Sequence, residues 1–80
     1  MSSLAKRQPK FSIGQEVRAV VGPPKSMQPN RLYVGRLGRI TQVHSFYGQE
    51  FYYEVAFEDR SAYDARTRVD FIDEVCLEVP

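Results

Sequence analysis

The chain has one cysteine, one histidine and no tryptophan among 80 residues. A lone Cys76 excludes an intramolecular disulfide framework and any zinc or iron–sulfur centre built from several cysteines of this chain. No apolar run approaches the roughly 18–20 residues a helix needs to cross a bilayer. Met1 to Lys10 carries basic residues without the apolar stretch of a secretory signal. Asp59 to Asp64 lacks the Asp-x-Asp-x-Asp-Gly run of a calcium loop, and no Gly-Lys-Ser or Gly-Lys-Thr follows Gly35 and Gly38 to cradle a phosphate. The length allows one domain, with little of its surface left over for an extensive core. These absences predict a small domain outside the membrane in a reducing compartment. The expected location is the cytoplasm, or the chloroplast stroma for a photosynthetic source.

What is present is period-two patterning. Glu16 to Val21 sets Val17, Ala19 and Val21 against Glu16, Arg18 and Val20, which predicts a half-buried strand. Gly22-Pro23-Pro24 stops it, because proline has no N–H for a ladder. Gly22 to Gly38, with Pro29 and Gly35 inside it, reads as a long loop of the kind that is functional or disordered. Gly35 and Gly38 are expected to supply positive φ for the turn into the next strand. That strand, Arg39 to His44, has its apolar Ile40 and Val43 three apart, which predicts a bulge. Ser45 to Gln49 is a turn with exposed aromatics. In Glu50 to Glu58, Phe51, Tyr53, Val55 and Phe57 alternate with Tyr52, Glu54, Ala56 and Glu58. Tyr52 is expected to pack on a neighbour or to lie in a binding surface. Glu58 to Arg66 is turn-like, Arg68 to Phe71 a short strand, Ile72 to Val75 one helical turn, and Cys76 to Val79 a last strand. The predicted class is all-β: a small SH3-like barrel of about five short antiparallel strands with one helical turn before the last. Residues 1–10 are expected to be a flexible tail and 11–80 the barrel.

The net charge of +1 conceals an asymmetry. Residues 1–39 hold eight basic side chains and one acid, for +7, and residues 40–80 hold three basic and nine acidic, for −6. Such halves either build a surface dipole or interleave on folding.

No catalytic set can be assembled. His44 has only Thr41, Gln42 and Ser45 near it and reads as a polar residue at a barrel rim. Cys76, beside Asp73, Glu74 and Glu78, reads as a small buried hydrophobe rather than a nucleophile. Asp59, Asp64, Asp70, Asp73 and Glu74 read as a solvated acidic face. The chain is therefore expected not to be an enzyme, and to need no cofactor or metal.

The layout Phe11-x-x-Gly14-x-x-Val17-Arg18, then Tyr33-x-Gly35-x-x-Gly38-x-Ile40-x-x-Val43-His44, then Tyr53-x-Val55-x-Phe57, then Val69 to Leu77-Glu78, resembles a group of SH3-like barrels. These are the electron-transport accessory proteins: the C-terminal barrel of the nitrile hydratase β subunit, the variable chain of ferredoxin–thioredoxin reductase, and the ferredoxin-docking subunit of photosystem I. The likeness spans about residues 11–79. The chain lacks the helical N-terminal part of the nitrile hydratase β subunit and any cysteine-rich claw. The resemblance therefore implies an accessory or regulatory module without the catalytic half.

Basic residues interleaved with aromatics then suggest a docking surface. Lys25, Arg31, Arg36 and Arg39 surround the long loop with Tyr33 among them, and Phe46 and Tyr47 cap the next turn. The expected partner is a larger protein or enzyme complex with an acidic docking surface, met by arginines and anchored by aromatics. Tyr33 could instead fold into the barrel. The alternative partner is nucleic acid, because Gly35-x-x-Gly38-x-Ile40 followed by Val55-x-Phe57 also reads as a KOW- or Tudor-like stretch. Against it stand the pI of about 7.9 and the acidic second half.

Overall fold

The computed structural model describes residues 7–47, 50–59 and 66–80. Five antiparallel strands form one sheet: β1 (Glu16–Ala19), β2 (Leu37–Phe46), β3 (Glu50–Asp59), β4 (Arg66–Asp73) and β5 (Leu77–Glu78), in the order β4-β3-β2-β1-β5. The only helical pieces among the described residues are single 3-10 turns at Arg31–Tyr33 and Glu74–Cys76. The all-β class, the five strands and the helical turn before the last strand agree with the sequence reading.

The strand limits differ from it. β1 ends at Ala19 rather than Val21, whose side chain is exposed. β2 extends to Phe46, so Ser45 and Phe46, expected in the turn, belong to the strand. The bulge falls between Ile40 and Gln42, which turns both Ile40 and Val43 toward the core side despite their odd spacing. The residues between Asp59 and Arg66, read as a turn, lie outside the described ones, as do residues 1–6 of the expected tail.

β3 is the centre of the core. Phe51, Tyr53, Val55 and Phe57 are all buried, and Ile40, Val17, Ala19, Ile72, Cys76 and Leu77 close around them. Gly38 is required by proximity, not by dihedral angle. A Cβ there would stand 2.6 Å from Val55 Cγ1 and 2.8 Å from Phe57 Cε1, nearer than side-chain atoms pack. Gly35, with φ +83, is the glycine that supplies the left-handed turn.

The long loop is tied down along its length. Gln28 Oε1 accepts from the Gly22 N–H, and Gln28 Nε2 donates to the Gly22 and Pro23 carbonyls. The Met27 N–H donates to Asp73 Oδ2 while the Asp73 N–H donates to the Met27 carbonyl, and the Asn30 N–H donates to Asp70 Oδ2. The loop thus lies on residues of the edge strand β4 and covers an edge that would otherwise invite another chain.

Candidate functional site

The seven residues expected to form a docking surface do not come together. Tyr33 is a correction to that expectation. It is 6 % exposed, and its ring stacks on Phe57 at 4.5 Å with 3° between the planes. The 3-10 turn at Arg31–Tyr33, capped by the Asn30 side chain on the Leu32 N–H, rotates it into the core, where apolar area is removed from water. Arg31 stays exposed on that turn. Arg36 and Arg39 share a depression of about 620 Å3 with Glu16 and Glu58. Arg36 Nη2 donates to the Glu58 carbonyl and its guanidinium lies 5.8 Å from the Tyr33 ring centroid. Arg39 Nη1 donates to the Gly14 carbonyl at 2.6 Å. Lys25 lines a second, smaller depression with Arg7, Glu50, Asp73 and Glu74. Phe46 and Tyr47 sit at the far end of β2, seven or eight residues from Arg39, roughly 23 Å in an extended strand.

The charged halves interleave. Arg18 pairs with Glu78 and Arg7 with Glu74, each joining the basic half to the acidic one. Both depressions likewise mix the signs.

The acids read as a solvated face are also corrected. Asp70 and Asp73 receive loop N–H groups, and Glu74 is 7 % exposed. Glu74 Oε2 accepts from the Tyr53 hydroxyl at 2.7 Å and from the Lys10 N–H at 3.0 Å, and its Oε1 is 3.3 Å from Arg7 Nη2. Tyr53 in turn accepts from the Phe11 N–H. Burial, then the hydrogen bond to Glu74 and that carboxylate's charge, push the Tyr53 phenol far above its ordinary range. Asp59 and Asp64 lie outside what is described at side-chain level.

A surface the sequence reading only touched lies on the outer side of β2, β3 and β4. The register pairs His44 with Tyr52, Gln42 with Glu54, Phe46 with Glu50, and Glu54 with Phe71. Tyr52 is sandwiched, its ring 4.9 Å from His44 and 4.7 Å from Phe46, with Phe71 tilted at 6.4 Å. Phe46, Phe71 and Val69 remain 44 %, 47 % and 51 % exposed, too much for rings and methyls that merely complete a core. His44 Nε2 lies 2.6 Å from Glu54 Oε2, which fixes the imidazole flat on Tyr52. At the hairpin tip Tyr47 is 98 % exposed, with φ 54, a left-handed conformation unusual for a bulky residue.

The chain matches no protein-family model, no curated protein and no solved structure.

The His44–Tyr52 pairing had a signal in the sequence: in a hairpin centred on Gly48, residues equidistant from 48 face each other. Phe71 had none, since its register depends on a connection of six residues between β3 and β4.

Among the described residues no three His, Cys, Asp or Glu side chains are grouped so as to hold a metal ion, and no helix is long and apolar enough to cross a membrane. Cys76 is a free, buried thiol whose Sγ donates to Gln28 Oε1 at 3.7 Å. Burial, and after it the charge of Asp73, push its pKa up, while the Gly22 backbone acts the other way. The thiolate is the reactive form, so Cys76 is expected to resist a thiol reagent such as iodoacetamide in native protein and to react fully in denaturant. Rapid native labelling at neutral pH, read by mass spectrometry, would show that the thiol is open and the loop over it loose.

Proposed function

We propose that this chain is a non-catalytic accessory module that docks on a larger protein through the outer face of β2, β3 and β4. The observation that carries this reading is the stacked row of Phe46, Tyr52 and His44 with Phe71 against it, with Phe46 and Phe71 still nearly half-exposed. Aromatic anchors held in place lose little entropy on binding, which is what interface hot spots require. Tyr47 extends the same patch at the hairpin tip. The resemblance to the electron-transport accessory group supports an enzyme or electron-transfer complex as the larger protein.

A nucleic acid would also stack on aromatic rings, but it needs cations beside them. The residues flanking these rings are Glu50 and Glu54; Arg39 comes only opposite Ala56, one outward position past Glu54, and Arg7 and Lys25 only in the depression on the other side of Glu50. The test is recovery of tagged, full-length chain from native extract with and without nuclease. A stoichiometric protein partner that survives nuclease is expected. Material that disappears entirely on nuclease treatment would overturn the docking reading in favour of nucleic acid.

A further inference from the structure

Resting on that docking reading, we infer that the partner meets this face with a basic amphipathic segment, lysines or arginines spaced among apolar side chains. The central strand β3 turns Glu50, Tyr52, Glu54, Ala56 and Glu58 away from the core, the positions that alternate with its buried residues. Carboxylates therefore recur every fourth residue, roughly 13 Å apart along an extended strand. Aromatic rings lie between and beside them. From Gln42 to Phe46 and across the facing residues of β3 up to Glu54, the outward side chains include no Lys or Arg. The single base there is His44, already bound to Glu54.

The sign of this charge separates the classes of occupant. Nucleic acid and anionic lipid both bring phosphates, which Glu50 and Glu54 repel. A second copy of this chain would set the same carboxylates against each other. A basic segment gains in two ways: its cations meet Glu50 and Glu54, and they lie over the face of Phe46 that is turned away from Tyr52, where the ring's quadrupole attracts positive charge. Its apolar side chains cover Phe71 and Val69, removing from water the area now exposed. An acidic segment would find cations only past the borders of the patch: Arg39 opposite Ala56, one outward position beyond Glu54, with Glu16 and Glu58 near it, and Arg7 and Lys25 in the depression next to Glu50, with Asp73 and Glu74 among them.

The experiment is amide-shift mapping of the isotope-labelled full chain with two peptides of one amphipathic pattern, one with Lys at every polar position and one with Glu. The Lys peptide is expected to move the amides of His44, Phe46, Tyr52 and Phe71 and to bind about tenfold more tightly than the Glu peptide at low salt, with the difference shrinking as salt is added. Glu50→Gln with Glu54→Gln is expected to remove most of that difference without changing the shifts of core amides. Tighter binding of the Glu peptide on the same amides would overturn the charge assignment and leave the docking reading standing. If neither peptide moves the face at millimolar concentration, both the inference and the docking reading fall.

Discussion

Replacing Glu74 by alanine is expected to lower stability by about 2–3 kcal/mol and to release the segment from Arg7 to Phe11. The carboxylate is the common acceptor for the Tyr53 hydroxyl, the Lys10 N–H and the Arg7 guanidinium. Arg7 and Lys10 can turn to water when it is lost, but the fully buried Tyr53 hydroxyl cannot, and an unsatisfied buried donor costs its whole desolvation. Glu74→Gln keeps an acceptor of the same shape and is expected to cost less, about 1 kcal/mol, through the lost charge. Urea denaturation gives the energies, and hydrogen exchange at the Lys10 and Phe11 amides gives the release. A Glu74→Ala variant as stable as the parent, with those amides unchanged, would mean that the segment is held by something else.

The same cluster sets a pH dependence. The folded state holds the Tyr53 phenol protonated, with its pKa above the ordinary value near 10. The unfolded chain ionises first as pH rises, so this contribution is complete below about pH 10 and is lost as pH climbs past it. Tyr53→Phe should flatten that alkaline loss, although it lowers stability at neutral pH by removing the bond to Glu74.

The second large effect falls on binding. Phe46→Ser combined with Phe71→Ser is expected to weaken partner binding by about a hundredfold or more, the scale of two hot-spot anchors. Melting should shift little, because both rings are nearly half-exposed and neither belongs to the buried cluster. Tyr47→Asn divides the two properties further. Its left-handed φ costs a bulky residue roughly 1 kcal/mol, which asparagine largely escapes, so the variant should be more stable and bind less well. Opposite signs for stability and affinity are the signature of a residue kept for contact. A variant that gained stability and kept full affinity would remove Tyr47 from the interface.

How much of this was legible in the sequence depended on period and on distance along the chain. β3 was legible because its alternation is unbroken, and the bulge in β2 because Ile40 and Val43 are out of step with it. The burial of Cys76 followed from its apolar flanks. Tyr33 was not legible: a 3-10 turn three residues long has no periodicity, and only the stacking on Phe57, 24 residues away, shows where the ring goes. Glu74 was misplaced for a related reason. A carboxylate beside Asp73 looks solvated until Tyr53 and the Lys10 N–H arrive from distant parts of the chain. The loop arginines formed a group along the chain, but folding spends Arg36 and Arg39 on backbone carbonyls and sets Glu16 and Glu58 beside them. The aromatic face was half visible, in Phe46, Tyr47 and Tyr52. His44 follows from the hairpin pairing with Tyr52, but Phe71 depends on the register of β4 on β3, which no local pattern encodes.

The most direct measurement is site-specific photo-crosslinking to the recovered partner, with a benzophenone amino acid in place of Phe71 on the outer face or of Val34 beside the Arg31–Tyr33 turn. The face-docking account predicts a strong adduct from position 71 and little from position 34. An adduct from position 34 with none from position 71 would contradict it and return the docking surface to the long loop.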